Sequence, residues 1–199
     1  MTIPLEFCAY RYLQQWERKE KPLHNAMAGN PSAQQIRDSL KHYGIARNFK
    51  GLKDDGIAEK ISHELINVSD DESQSAPEKV VALASRFKEH FGKFNISAAS
   101  KLLWLRNKEP YLIYDSKAIN ALISLGNKLD KSDYFSYYTV WQQEYKKRKK
   151  EITVATNGLV DLPRKYTAAF DLTDSQLTKL VQSKWFNERV FDIYLWEIG

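Results

Sequence analysis

Residues Gly92–Asp115, GKFNISAASKLLWLRNKEPYLIYD, decide the fold. The stretch opens on a glycine that can end a helix in the left-handed conformation. Lys93, Phe94 and Asn95 form a link, and Ser97 to Arg106 makes a short helix bearing Leu102, Leu103 and Leu105. An extended segment then delivers Asp115. The pattern predicts two helices joined by a tight hairpin, with Asn95 or Ser97 capping the second, and Asp115 or Ser116 capping the helix that follows.

Two chemistries fit these residues. Free amides at the second helix start, with the helix dipole, could seat one DNA phosphate, and Lys93 and Lys101 would add charge there. A plain turn between packed helices would use the same residues. Asp115 divides in the same way. It satisfies the next helix's amides as an N-cap, or it is a carboxylate kept ionised by them. Held near DNA, such a group could stabilise the positive sugar that forms as a base–sugar bond breaks, as in glycoside hydrolysis.

Working outward, nearly every segment has helical period and none shows sustained strand alternation. Upstream, Pro77 opens a helix carrying Val80, Val81, Ala84, Phe87 and Phe91, and Ile57, Ile61, Leu65 and Val68 form another stripe. Asn30–Pro31 reads as a cap plus first-turn proline, leading through Ile36, Leu40 and Tyr43 to a stop at Gly44. Leu5, Cys8, Tyr12, Leu13 and Trp16 mark the first helix. The polar segment 69–76 reads as a loop or a subdomain seam. Downstream, Ile119, Leu122 and Ile123 lead to Gly126, and Asp133 to Lys150 is the longest helix. A linker from Thr153 to Pro163, a helix capped near Thr173 and a terminal helix from Glu188 to Trp196 complete the chain. Fold class is all-α, about ten helices over residues 1–199.

Composition narrows the function. The 199 residues are 43% hydrophobic and 13% aromatic, enough for a packed core. No apolar run approaches the ~20 residues of a membrane span, and the N-terminus lacks the features of a secretory leader, so a cytoplasmic location is expected. Cys8 stands alone, excluding an internal disulfide and a cysteine metal site. His24, His42, His63 and His90 are scattered, and the HExxH, GxSxG, GxxxxGKS and GxGxxG patterns are absent. No metal is expected. Net charge is +5, and Lys146 to Lys150 puts five cations at the end of a helical pattern. Such a run is most often a solvated helix end, a localisation signal or a phosphate contact being the less common readings.

Gly92 to Ala121 resembles the helix-hairpin-helix plus Gly/Pro-Asp signature of the DNA glycosylase superfamily that includes endonuclease III and 8-oxoguanine glycosylase. NISAASKLLWLRNKEPYLIYDSKAINAL is similar to 8-oxoguanine-glycosylase-like bacterial proteins of about this size, as are YGIARN at Tyr43–Asn48 and the C-terminal RVFDIYLWEIG. The resemblance implies an all-α, two-lobed fold with its cleft between lobes, base flipping, and a catalytic aspartate that falls on Asp115. It implies DNA contacts at Gly92, Lys93, Asn95, Ser97 and Lys101, no required cofactor, and room for a structural monovalent cation at the hairpin carbonyls. DNA is the implied partner, with no membrane and no obligate protein partner, and bacterial nucleoid work follows. Departures matter too. Phe94 replaces the second hairpin glycine, Pro110 lies five residues before Asp115, and no iron–sulfur cysteine cluster follows. The lysine of the bifunctional members falls at Ile96, which cannot form a Schiff base. Lys101, a turn further on, is expected to contact phosphate or face solvent.

An extruded base needs stacking surfaces and polar groups at its edge. Trp104, Tyr111, Tyr114, Trp141 and Trp196 are candidate surfaces; Arg47, Asn48 and Asp192 are candidate readers. Arg189 and Asp192, three apart, could instead pair on one helix face. The expected activity is monofunctional base excision, on an oxidised purine in repair or on a hypermodified phage base such as glucosylated hydroxymethylcytosine in defence. The lack of an obvious extra N-terminal domain favours defence. The alternative is a non-catalytic helical DNA-binding protein that keeps the hairpin.

Overall fold

The computed structural model describes residues 3–199 and is all-α: ten α-helices and no strand among the described residues. They are α1 (Leu5–Gln15), α2 (Lys21–Met27), α3 (Ala33–His42), α4 (Asp55–Asp70), α5 (Ala76–Phe91), α6 (Ile96–Asn107), α7 (Ser116–Ser124), α8 (Tyr134–Asn157), α9 (Asp174–Gln182) and α10 (Lys184–Ile198). A π-turn, Trp16–Glu20, joins α1 to α2 without a break. Pro22 lies just beyond it, and a residue with no N–H and a bulky ring favours widening of the preceding turn.

The chain forms two compact units. One holds the chain up to Lys21 together with Asp115–Gly199; the other is Pro22–Tyr114. The first is organised around α10, which packs on α1, α7, α8 and α9. Ten consecutive α10 residues, Phe186 to Leu195, are buried, as expected of a helix surrounded by others. In the second unit α6 has that role. Residues Ala98 to Leu105 are all buried, and α3, α4 and α5 pack against this helix.

Several boundaries differ from the sequence expectation. The cap of α3 is Ser32, not Asn30, because Ser32 and Gln35 form a reciprocal capping box that starts the helix two residues later. Ser69 and Asp70 belong to α4, and the polar stretch after them is a short connection within the second unit, the division falling at Lys21/Pro22 and Tyr114/Asp115 instead. Helix α8 continues past Lys150 to Asn157, because Ile152 and Ala155 extend its buried stripe. Helix α10 begins at Lys184, four residues before Glu188, since Phe186 is already core. No helix is long and apolar enough to cross a membrane, among the described residues.

Candidate functional site

In the second unit, α5 and α6 form the expected hairpin. Gly92 ends α5 with φ +73°, and its N–H donates to Lys88 O at 2.9 Å. Asn95 caps α6: its Oδ1 accepts from the Ala98 N–H at 3.1 Å. The amides of Ile96 and Ser97 precede any available carbonyl one turn back, so they project from the helix start. Asn95 is 6% exposed, and its Nδ2 is buried without a hydrogen-bond partner. A buried donor left unmade is costly. Lys93 donates from Nζ to Asn48 Oδ1 at 2.7 Å, which brings the 3₁₀ turn Ala46–Asn48 to the hairpin. Arg47, on that turn, is exposed.

Lys101 behaves differently from expectation. It is 5% exposed, with Nζ donating to Ser97 Oγ at 2.9 Å and lying 5.7 Å from the Tyr43 ring centroid. The side chain turns back along its own helix, so a solvent-facing role is excluded. Ile96, the first residue of α6, is buried. Ser100 Oγ accepts from the Tyr114 N–H at 3.0 Å, which pins the extended segment to α6 just before Asp115.

In the first unit, Asp115 is the N-cap of α7, its Oδ1 accepting from the Lys117 N–H at 3.0 Å. Lys117, two residues on, holds its Nζ 3.7 Å from the centroid of the Trp196 ring, and the Arg11 guanidinium lies 5.1 Å from the same ring. Trp196 is 39% exposed. The Trp196 ring, partly exposed, is thus flanked by Lys117 of the first turn of α7 and by Arg11, which also pairs with Glu197. Lys117 and Arg11 were not apparent in the sequence, because a single cation on a helix carries no pattern.

Beside this cluster lies a buried polar network. Arg189 donates to Asp192 Oδ2 at 2.7 Å and to Glu20 Oε1 at 3.0 Å. Trp141 Nε1 donates to Asp192 Oδ1 at 2.8 Å, and Tyr12 and Gln15 donate to Glu20. Burial pushes the Asp192 carboxyl up to about 6, against the opposing pull of Arg189 and Trp141. Tyr137, fully buried, is raised well above the usual phenol range by burial and then by the nearby charges of Asp192 and Asp115. Glu20 was hidden in the charged run WERKE; the π-turn rotates it into the core, where it is 0% exposed.

The candidate base-pocket residues differ in how accessible they are. Trp104, at 1% exposed, and Trp141, at 0%, are core side chains, and a ring packed on both faces cannot stack on an extruded base. Tyr111 is also buried. Asp192 is enclosed by its donors and reads no ligand edge in this conformation. Tyr114, Asn48, Arg47 and Trp196 keep exposed surface. Among the described residues no cluster of three or more His, Cys, Asp or Glu could hold a metal ion. Comparison with protein-family models, curated proteins and solved structures found no match to the chain.

Proposed function

We propose that this protein is a monofunctional DNA glycosylase, and that the two-lobed glycosylase-like fold is part of that assignment. The observation that carries it is Asp115. Its carboxylate caps α7 directly after the segment that leaves a helix-hairpin-helix, in the order the glycosylase signature has. The hairpin offers a phosphate the amides at the start of α6 and the charge of Lys93. With Ile96 buried and apolar, a Schiff base cannot form there.

In this proposal the extruded nucleotide's C1′–N bond breaks, and its electron pair leaves with the base. Asp115 stabilises the cationic sugar and orients a water whose oxygen bonds to C1′, its proton passing to the carboxylate or to solvent. An abasic site with an intact strand results. Trp196, 39% exposed and flanked by Lys117 and Arg11, is proposed as an aromatic surface for the extruded base.

The test is incubation with duplexes carrying a panel of modified bases, including 8-oxoguanine and glucosylated hydroxymethylcytosine, scoring abasic sites. Base release from at least one substrate is expected, with strand cleavage only after alkali. Salt-sensitive binding with no release from any substrate would favour the non-catalytic DNA-binding alternative.

A further inference from the structure

We infer that the outer face of α8, through Lys146, Lys149 and Lys150, is a docking surface for the phosphate backbone of duplex DNA. The first observation is where the lysines sit. Cations commonly complement the dipole at a helix C-terminus, but that effect fades beyond the last turn. The last turn of α8 has no basic residue, and the helix runs seven residues past Lys150 to Asn157. Complementing the dipole therefore does not account for them.

The second observation is local charge balance. Lys146 stands three and four residues from Lys149 and Lys150, the spacings at which like charges on a helix repel. Glu144 is already engaged, accepting from both Lys147 and Arg148. Glu151 is one residue step, about 100°, round the helix from Lys150. Lys150 borders an open groove of about 650 Å³ with Glu6 and Glu151 and forms an ion pair with neither. Three exposed cations are thus left for an external anion.

The third observation is what surrounds them. Gln142, Gln143, Lys146, Lys149 and Lys150 are exposed along adjoining turns, a strip of hydrogen-bond donors. Between Thr139 and Thr153 no exposed side chain is a large apolar one, and the exposed apolar residues of α8, Phe135 and Val154, are single side chains beyond the two ends of the strip. A helix that lies on a membrane needs apolar residues to insert, so polar backbone is the better match. Lys146 to Lys150 rises about 6 Å, close to two phosphate-to-phosphate steps of one strand at ~3.4 Å of duplex axis each. The surface is independent of base excision and would hold in a protein that only binds DNA.

Anisotropy with a labelled, unmodified duplex of random sequence tests it across a salt series. Replacing all three residues (K146Q, K149Q and K150Q together) is expected to lower the salt slope by about 0.9 for each lysine that contacts a phosphate, a total of roughly 2–3. An equal charge change on other exposed lysines (K41Q, K60Q and K179Q together) should leave the slope nearly unchanged. Equal losses in both variants, or no duplex binding by the wild-type protein at low salt, would overturn the surface. So would lysine-dependent binding to phosphatidylserine vesicles without any slope change on DNA. Melting followed by circular dichroism should be no lower in the α8 variant, and a clear drop would mean that the lysines serve the fold instead. If this loss of slope occurs while no panel substrate releases a base, the docking surface stands and the glycosylase assignment fails.

Discussion

Asp115 caps α7, and its proposed part in catalysis separates from that cap by substitution. Asparagine caps a helix about as well as aspartate does, whereas alanine costs ~1 kcal/mol. Asp115→Asn should therefore melt like the wild-type protein, and Asp115→Ala should melt lower, in a calorimetric scan. Asp192 makes a different statement. Its folded-state pKa, about 6, lies above the ordinary 3.8 because burial penalises the charged form. A carboxyl raised on folding contributes stability that is complete below 3.8 and is lost as pH rises through about 6. Urea unfolding across that window should show wild type losing ground against Asp192→Asn as pH rises, with a constant difference above it. At this scale the sequence was informative for Asp115, whose position follows from a local signature, and for the Arg189–Asp192 pair, whose spacing is helical. It was silent on Lys117, Arg11 and Glu20, because contacts between distant segments leave no periodic trace.

The hairpin is the element on which the DNA reading depends, and its caps are separable. Gly92 has φ +73° with nothing within 4 Å of an added Cβ, so Gly92→Ala should cost only the left-handed backbone penalty, ~1 kcal/mol. Asn95→Ala removes the Ala98 cap and should cost about 0.5–2 kcal/mol. It should also weaken binding to duplex DNA more than Gly92→Ala does, because it alone removes the cap that orders the amides at the start of α6; anisotropy reads the difference. Helix types and stripes were legible from apolar period: Gly92 ends its helix and Thr173 caps one as read, Asn95 and Asp115 are the caps out of the two pairs of alternatives, and Asp133 caps the helix it was read to begin. Boundaries were less so. Lys150 ended a charge run but not its helix, because Ile152 and Ala155 lie on the buried stripe and packing, not surface charge, sets the length of α8.

Across the whole molecule, each unit surrounds one thoroughly buried helix, and the first adds a buried ionic network to its apolar core. Arg189 is the cation between two carboxylates, Glu20 and Asp192. Removing it alone, as Arg189→Met, leaves buried negative charge uncompensated and should cost about 3–5 kcal/mol. Replacing Glu20, Arg189 and Asp192 together by apolar residues of similar size should cost less than that single change, and denaturant titration of both variants checks the non-additivity. The all-α class was readable from composition and period. The division of the chain was not, since the first unit combines residues from both ends and no local composition change marks Lys21 or Asp115. The central claim remains that Asp115 releases a base. Its most direct measurement is single-turnover base release from the best panel substrate by wild type and Asp115→Asn at equal DNA occupancy. The expected result is a loss of roughly 100-fold or more in the variant, the scale on which removing a group that stabilises transition-state charge acts. Undiminished release by a folded, DNA-bound Asp115→Asn would contradict it.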